Sequence, residues 1–231
     1  MRYMGSKNRI AKHILPIMLA EREDNQYWVE PFVGGANLID KVDGKRIGND
    51  SHFYLIELLK AVQDGWKPPT EVTQEQYYAI KNEPEKYKAC LVGFVGFLCS
   101  FGGRWWEGFA RDTKKNRNYA LEGCNNLLKQ AKHLQGIQFV NGNYLDLEIP
   151  PRSLIYCDAP YQDTTHYKDK IDYSIFWQWC RDKSNEGHTV FISEYNAPDD
   201  FDCVLTLNHQ SMLNRSKKVT RVEKLFRYRK K

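Results

Sequence analysis

A chain of 231 residues can bury one substantial core with an insertion, or two small domains. With 42% hydrophobic and 27% charged residues it is composed like an ordinary globular protein, which excludes wholesale disorder. The formal net charge of +5 is mild but unevenly spread. One basic zone holds Arg104, Arg111, Lys114, Lys115 and Arg117. The other follows Arg215 with Lys217, Lys218, Arg221, Lys224, Arg227, Arg229, Lys230 and Lys231, opposed there only by Glu223. Such clusters suit a polyanion such as nucleic acid, although most basic runs are solvated surface.

Along the chain, Ile10, Ile14, Ile17 and Met18 recur at helical spacing, which predicts a helix from Ser6, a plausible N-cap, to about Arg22. "YWVEPF" (27–32) reads as a buried strand, and "VGGAN" as a glycine-rich turn into a short helix. "GKRIGND" (44–50) is a second strand, followed by a helix over 53–64 that breaks at Gly65 and Pro68–Pro69. Residues 70–135 change to helix and loop rich in aromatics and bases. Strand–helix alternation resumes with "IQFVNGN" (137–143), "SLIYCD" (153–158), a helix over 173–186 and "HTVFISEY" (188–195). Two last strands, 202–208 and 222–228, flank a basic loop and suit a hairpin. The pattern predicts an α/β fold, a mostly parallel sheet with helical cover. Residues 1–66 and 136–231 would form one domain and 67–135 a helical insertion.

The six cysteines are scattered without a CxxC pair, so no metal site is expected. No stretch approaches the roughly 18 apolar residues of a membrane span, and charged residues interrupt the N-terminal apolar positions. The expectation is therefore no membrane partner and reduced, intracellular thiols.

Four polar features fall at or beside predicted strand ends, where open α/β sheets bind ligands. Glycines in "EPFVGGAN" would let a backbone approach a ligand, although a Gly-Gly pair often makes only a turn. Asp50 ends the second strand; an acid there accepts ribose hydroxyls in dinucleotide folds, or it caps the helix that begins near His52. Lys7 of "YMGSK" either binds a carboxylate or phosphate or is simply solvated. In "DAPY" (158–161), a carboxylate and the next carbonyl could accept the two protons of an exocyclic amine while a tyrosine stacks on its ring. The plainer alternative is an aspartate capping a turn beside a packed tyrosine.

Taken in order, "YMGSK" (3–7), "EPFVGGA" (30–36), "ND" (49–50), "DAPY" (158–161), "ISEYNAP" (192–198) and "NRSKKVTRVEKLFRY" (214–228) resemble the DNA adenine-N6 methyltransferases of the GATC-modifying type, particularly phage-encoded members. The resemblance implies a Rossmann-like sheet with a C-terminal antiparallel hairpin and S-adenosylmethionine as cofactor. It implies cofactor contacts from Tyr3, Lys7, Glu30, Pro31, Phe32, Gly34, Gly35, Asp50, Asn143, Tyr144 and Asp158, with Asp50 on the ribose. Asp158, Ala159, Pro160 and Tyr161 would be the catalytic tetrapeptide. The commoner form of that motif is Asp-Pro-Pro-Tyr. Ala159 replaces the first proline here, and since only its carbonyl is needed the chemistry should survive with a less rigid turn.

The same resemblance makes double-stranded DNA the partner and the cytoplasm of a bacterium or phage-infected host the location. Segment 93–119 sits where the family inserts its recognition region. Arg104, Trp105, Trp106 and Arg111 could reach bases there, while Lys217 and Lys218 in the basic loop would touch phosphates. The competing reading makes the tryptophans the core of a small helical lobe. Other readings are cytosine-N4 methylation, a catalytically weak DNA-binding protein of the same fold, and an RNA or protein-glutamine methyltransferase.

Overall fold

A computed structural model of the protein describes residues 1–112, 117–161, 171–214 and 217–229, with the backbone alone for 209–214 and 217–221. Seven strands form one sheet: β1 (Trp28–Glu30), β2 (Arg46–Asp50), β3 (Ile137–Asn141), β4 (Leu154–Cys157), β5 (Thr189–Glu194), β6 (Phe201–Asn214) and β7 (Lys217–Tyr228). Their spatial order is β3-β2-β1-β4-β5-β7-β6. The first five are parallel, β7 is antiparallel to β5, and β6 pairs with β7 as a hairpin. This is the Rossmann-like α/β sheet with a C-terminal hairpin that the alternation and the tail predicted. Strand order reverses between β1 and β4, so the carboxyl edge opens a crevice there.

Period-2 alternation explains how the short strands hold two faces. Leu154 and Tyr156 of β4, with Trp28 and Phe191, join one core; Ile155 and Cys157, with Val29, Val190 and Ile192, join the other. The second face is covered by α6 (Tyr173–Asn185), through Phe176, Trp177, Trp179 and Cys180. The first face is covered by α1 (Ala11–Leu19), α2 (Phe53–Gln63), α4 (Ala89–Leu98) and α5 (Tyr119–Leu134). α4 is apolar on all sides because it lies between α2, α5 and the outer α3 (Gln74–Asn82).

Several local expectations change. Ser6 does not cap a helix running to Arg22: its hydroxyl accepts from Asn8 N at 3.3 Å and caps a single 3-10 turn, Lys7–Arg9, before α1 starts at Ala11. The glycine-rich turn leads into a three-residue 3-10 turn, Ile39–Lys41, so no helix N-terminus stands behind it to favour an anion. The hairpin is longer than the alternation suggested. Lys217 and Lys218, expected in a loop, lie on the β7 backbone, because cross-strand pairing extends to Asn214–Lys217; their side chains, like Lys114 and Lys115, lie outside the described residues.

Close packing of α2 on α4 depends on Gly93. A Cβ added there would overlap the Tyr54 carbonyl and also meet Leu58 Cβ at 3.1 Å. Backbone cannot rotate away as a side chain can, so Gly93→Ala should destabilise the fold by about 1–3 kcal/mol. Urea unfolding of the variant against wild type measures the loss.

Candidate functional site

β4 ends at Cys157, and Pro160, which lacks an N–H, cannot carry the ladder past the next two residues. Asp158 therefore stands at the carboxyl edge, beside the reversal point. Lys7, brought in by the N-terminal 3-10 turn, reaches Asp158 Oδ1 with its Nζ at 3.0 Å. A third group, absent from the site read from the sequence, completes the cluster. Glu223 Oε2 lies 3.5 Å from Lys7 Nζ and accepts the Tyr161 hydroxyl at 2.6 Å. Lys7 Nζ also sits 4.4 Å from the Tyr161 ring centre, and Tyr195 meets that ring edge-to-face at 4.7 Å.

Glu223 arrives by strand geometry. β7 runs antiparallel to β5 and sets Lys224 opposite Glu194, the last residue of β5, so the preceding residue of β7 lies at the same edge as Asp158. Its being the one carboxylate in the basic C-terminal run was the available signal.

The cluster is buried. Lys7 is 8% exposed and Glu223 11%, while Asp158 keeps 21%. Burial pushes the Asp158 carboxyl up to about 6; Lys7 opposes this and Glu223 adds to it. Burial works against the Lys7 ammonium, yet Asp158 and Glu223 outweigh it and raise its pKa. Burial also raises Tyr161, as do Asp158 and Glu223. The hydroxyl of Tyr173 donates to the Pro160 carbonyl, and buried Ala159 packs in the second core.

A second focus lies across the reversal point. Asp50 Oδ2 accepts Gly34 N at 3.0 Å and Oδ1 accepts His52 N at 2.9 Å. It does not cap α2; His52 does, accepting from Leu55 N at 3.3 Å. Burial raises Asp50, and those two N–H groups oppose the rise. Each carboxylate oxygen retains a further lone pair for a hydroxyl. Asn49 of β2 ties two loops: its Nδ2 donates to Pro31 O at 3.0 Å and Gly142 O at 3.1 Å.

The space vacated by the glycines serves an internal contact. A Cβ on Gly34 would lie 2.9 Å from Tyr3 Cε1, and one on Gly35 2.8 Å from Tyr3 Cβ. Tyr3 thus packs directly on the loop. Glu30 turns inward, accepting the Trp28 indole N–H at 2.9 Å, and burial pushes its carboxyl well up, so it offers a ligand little surface. Phe32 packs on Tyr144 at 4.9 Å, and Tyr144 also meets Phe176 and Trp179; it is core rather than an open contact. Exposed Asn143 accepts from Leu145 N at 3.1 Å.

The recognition candidates divide. Trp105 packs between His52 (4.3 Å), Tyr54 (5.6 Å) and Phe97 (4.8 Å), and Trp106 against Tyr77 (5.0 Å). Both tryptophans pack on the helical lobe and each stays partly exposed. Arg104 is half-buried, 3.7 Å from Glu107, beside a turn at Gly102 and Gly103 with φ of 68° and 72°. Arg111 is exposed. Among the described residues, no group of three side chains is arranged to hold a metal ion, and no helix is long and apolar enough to cross a membrane.

With this geometry in hand, residues 3–91 match the family model of D12 class N6 adenine-specific DNA methyltransferases. The match takes in Tyr3, Lys7, the 30–35 loop and Asp50, and ends before Asp158. No curated protein matches the chain. One similar solved structure is SMU.472, a candidate methyltransferase complexed with SAH, at 10% identity and a TM-score of 0.42 over 98% of this chain. This chain spans about half of that one, 54%.

The Asp158 carboxyl should titrate near pH 6 in the free protein, since its raised pKa leaves the neutral acid dominant below that pH and the carboxylate above it. Carbon-13 NMR of labelled aspartate, assigned by loss of the signal in Asp158→Asn, reads this directly.

Proposed function

We propose that the protein is an S-adenosylmethionine-dependent DNA methyltransferase acting on the N6 amine of adenine in duplex DNA, with the base flipped out of the helix. The observation that carries the reading is Asp158 at the carboxyl edge, flanked by Lys7 and Tyr161, in a sheet whose neighbouring strand ends hold Asp50 and the glycine loop. The family match over residues 3–91 supports it. GATC is the candidate recognition sequence.

The residues present suit the cofactor chemically. Asp50 retains lone pairs for ribose hydroxyls, and the oppositely charged Lys7 and Asp158 suit a group bearing both a carboxylate and an ammonium. When bound, S-adenosylmethionine supplies an electrophilic methyl on a sulfonium.

The chain's task is to make a poor nucleophile adequate. An exocyclic amine shares its lone pair with the ring. Asp158 and the Ala159 carbonyl accept hydrogen bonds from its two N–H groups, which localises that lone pair and aims it, and the Asp158 carboxylate takes the one proton the nitrogen releases as it gains the methyl. The Tyr161 ring holds the base plane by stacking. No enzyme nucleophile is needed. Preorganised acceptors matter here because they are worth more in a partly dehydrated edge than in water. The acceptor is the carboxylate, so transfer should fall as pH drops through about 6 and level off above it.

Asp50 holds the ribose, while Arg104 and the basic strand β7 bear on DNA. The residues 67–135 act as the recognition insertion. Arg104, beside its glycine turn, is the candidate base reader, and Lys217 and Lys218 are candidate phosphate contacts.

The test is tritium transfer from labelled cofactor to unmethylated duplex DNA, followed by mapping of methylated adenines in DNA from an expressing host. Transfer to adenine N6 is expected; transfer to cytosine only, or cofactor binding with no transfer, overturns the reading. Asp158→Ala should abolish transfer while circular dichroism stays native, because an acceptor used chiefly in the transition state is lost. Asp50→Ala should weaken cofactor binding by about 1.5–3 kcal/mol per lost charged hydrogen bond while leaving DNA affinity near wild type, as calorimetry and gel shifts would read.

A further inference from the structure

The role of Glu223 goes beyond the acceptor chemistry and rests on the methyl-transfer reading. Three observations converge on it. It comes from β7, remote in sequence from both other members of the cluster, yet its Oε2 contacts Lys7 Nζ at 3.5 Å and the Tyr161 hydroxyl at 2.6 Å. The same Lys7 Nζ holds Asp158 at 3.0 Å, so one cation is divided between two carboxylates. The hydroxyl of Tyr161, which base stacking does not require, donates to Glu223 while Lys7 lies against the ring.

We infer that Glu223 is a positioning residue: it draws part of the Lys7 charge away from Asp158, so that Asp158 remains a strong acceptor for the amine, and it anchors the Tyr161 ring through the hydroxyl. Without a second carboxylate, Lys7 would pair with Asp158 alone and compete directly with the amine protons for its lone pairs. With it, the ammonium remains neutralised in a buried place where an unpaired charge is costly.

The charged and titratable groups acting on Asp158 are Lys7 from the N-terminal turn, Glu223 from β7, Tyr161 from its own loop, Tyr156 within β4 and Glu30 at the end of β1. Of these, Glu223 adds to the rise of Asp158 and Lys7 opposes it. Removing the Glu223 charge therefore acts twice in one direction. It deletes a repulsion, and it frees Lys7 for Asp158.

The experiment uses the full chain as wild type, Glu223→Gln, Glu223→Asp, Glu223→Ala, Tyr161→Phe and the Glu223→Ala/Tyr161→Phe double variant. Carbon-13 NMR follows the Asp158 carboxyl in the free proteins. In Glu223→Gln its titration should move down by about one pH unit, as loss of a nearby like charge dictates, whereas Glu223→Asp should keep it near wild type. Steady-state transfer to unmethylated plasmid DNA should show kcat down roughly tenfold in Glu223→Gln, with KM for S-adenosylmethionine changed less than about twofold. The acid limb of its pH–rate profile should move down with the NMR titration. Tyr161→Phe should lose a similar factor, and the Glu223→Ala/Tyr161→Phe double variant should be no worse than Glu223→Ala alone, because that variant already lacks the acceptor of the Tyr161 hydroxyl.

An Asp158 titration unmoved by Glu223→Gln, or losses of Glu223→Ala and Tyr161→Phe that multiply in their double variant, overturns the inference. If wild type transfers no methyl to DNA, the functional reading fails on that control alone. The NMR titration then still decides whether Glu223 governs Asp158.

Discussion

Everything at the carboxyl edge hangs on one buried ammonium. Lys7 is almost fully withdrawn from water, a position an isolated charge cannot hold, and it is tolerated because two carboxylates meet it. Those partners come from the β4 loop and from β7, while Lys7 comes from the 3-10 turn ahead of α1. One electrostatic requirement therefore fixes three chain-distant segments against each other. The gain in stability from such a pair is modest, since desolvation offsets much of the attraction. What it secures is position, because the ammonium has few other places to go.

The rest of the edge is stitched by hydrogen bonds to backbone groups. Asn49 ties the loops after β1 and β3 together, and Asp50 binds the N–H groups of Gly34 and His52. Tyr3 then lies on the glycines, so the segment that carries Lys7 also closes the loop. The helical segment is not a free appendage. Trp105 packs on His52, two residues from Asp50, and a Cβ on Gly96 would run into its ring. A displacement of the Gly102–Arg104 turn is thus connected through packed rings to the strand end that holds Asp50. β7 offers a second connection, since Lys217 and Glu223 lie on one strand.

Much of this was legible beforehand. Long, regular elements were: α2, α6 and the five parallel strands follow from periodicity and from β-branched and aromatic runs, because those patterns reflect burial of one face or both. Short elements were not. Ser6 looks like an α-helix cap, yet it caps one 3-10 turn; the glycine-rich turn promised a helix and leads to three residues of 3-10 turn. A single turn leaves no periodicity to detect. The hairpin was under-measured because basic residues resemble a loop, while strand pairing is satisfied by backbone whatever the side chains are.

For the site, residue types and their places along the chain already name the groups that could do chemistry: Asp158 with Ala159, Pro160 and Tyr161, Lys7, and Asp50 at a strand end. Those are local facts, set by residue type and by where a strand must stop. Their partnerships come from the folded arrangement. Trp105 and Trp106, chemically fit to stack on bases, each turn one side to Tyr54, Phe97 or Tyr77 and stay partly exposed. Glu30 is consumed by Trp28. Glu223, one acid in a basic run, becomes the third member of the cluster because an antiparallel last strand carries it back to the edge where the parallel strands end. Spacing along a chain says nothing about which distant carboxylate will neutralise a buried lysine; that depends on strand order and direction, which exist only once the sheet has formed.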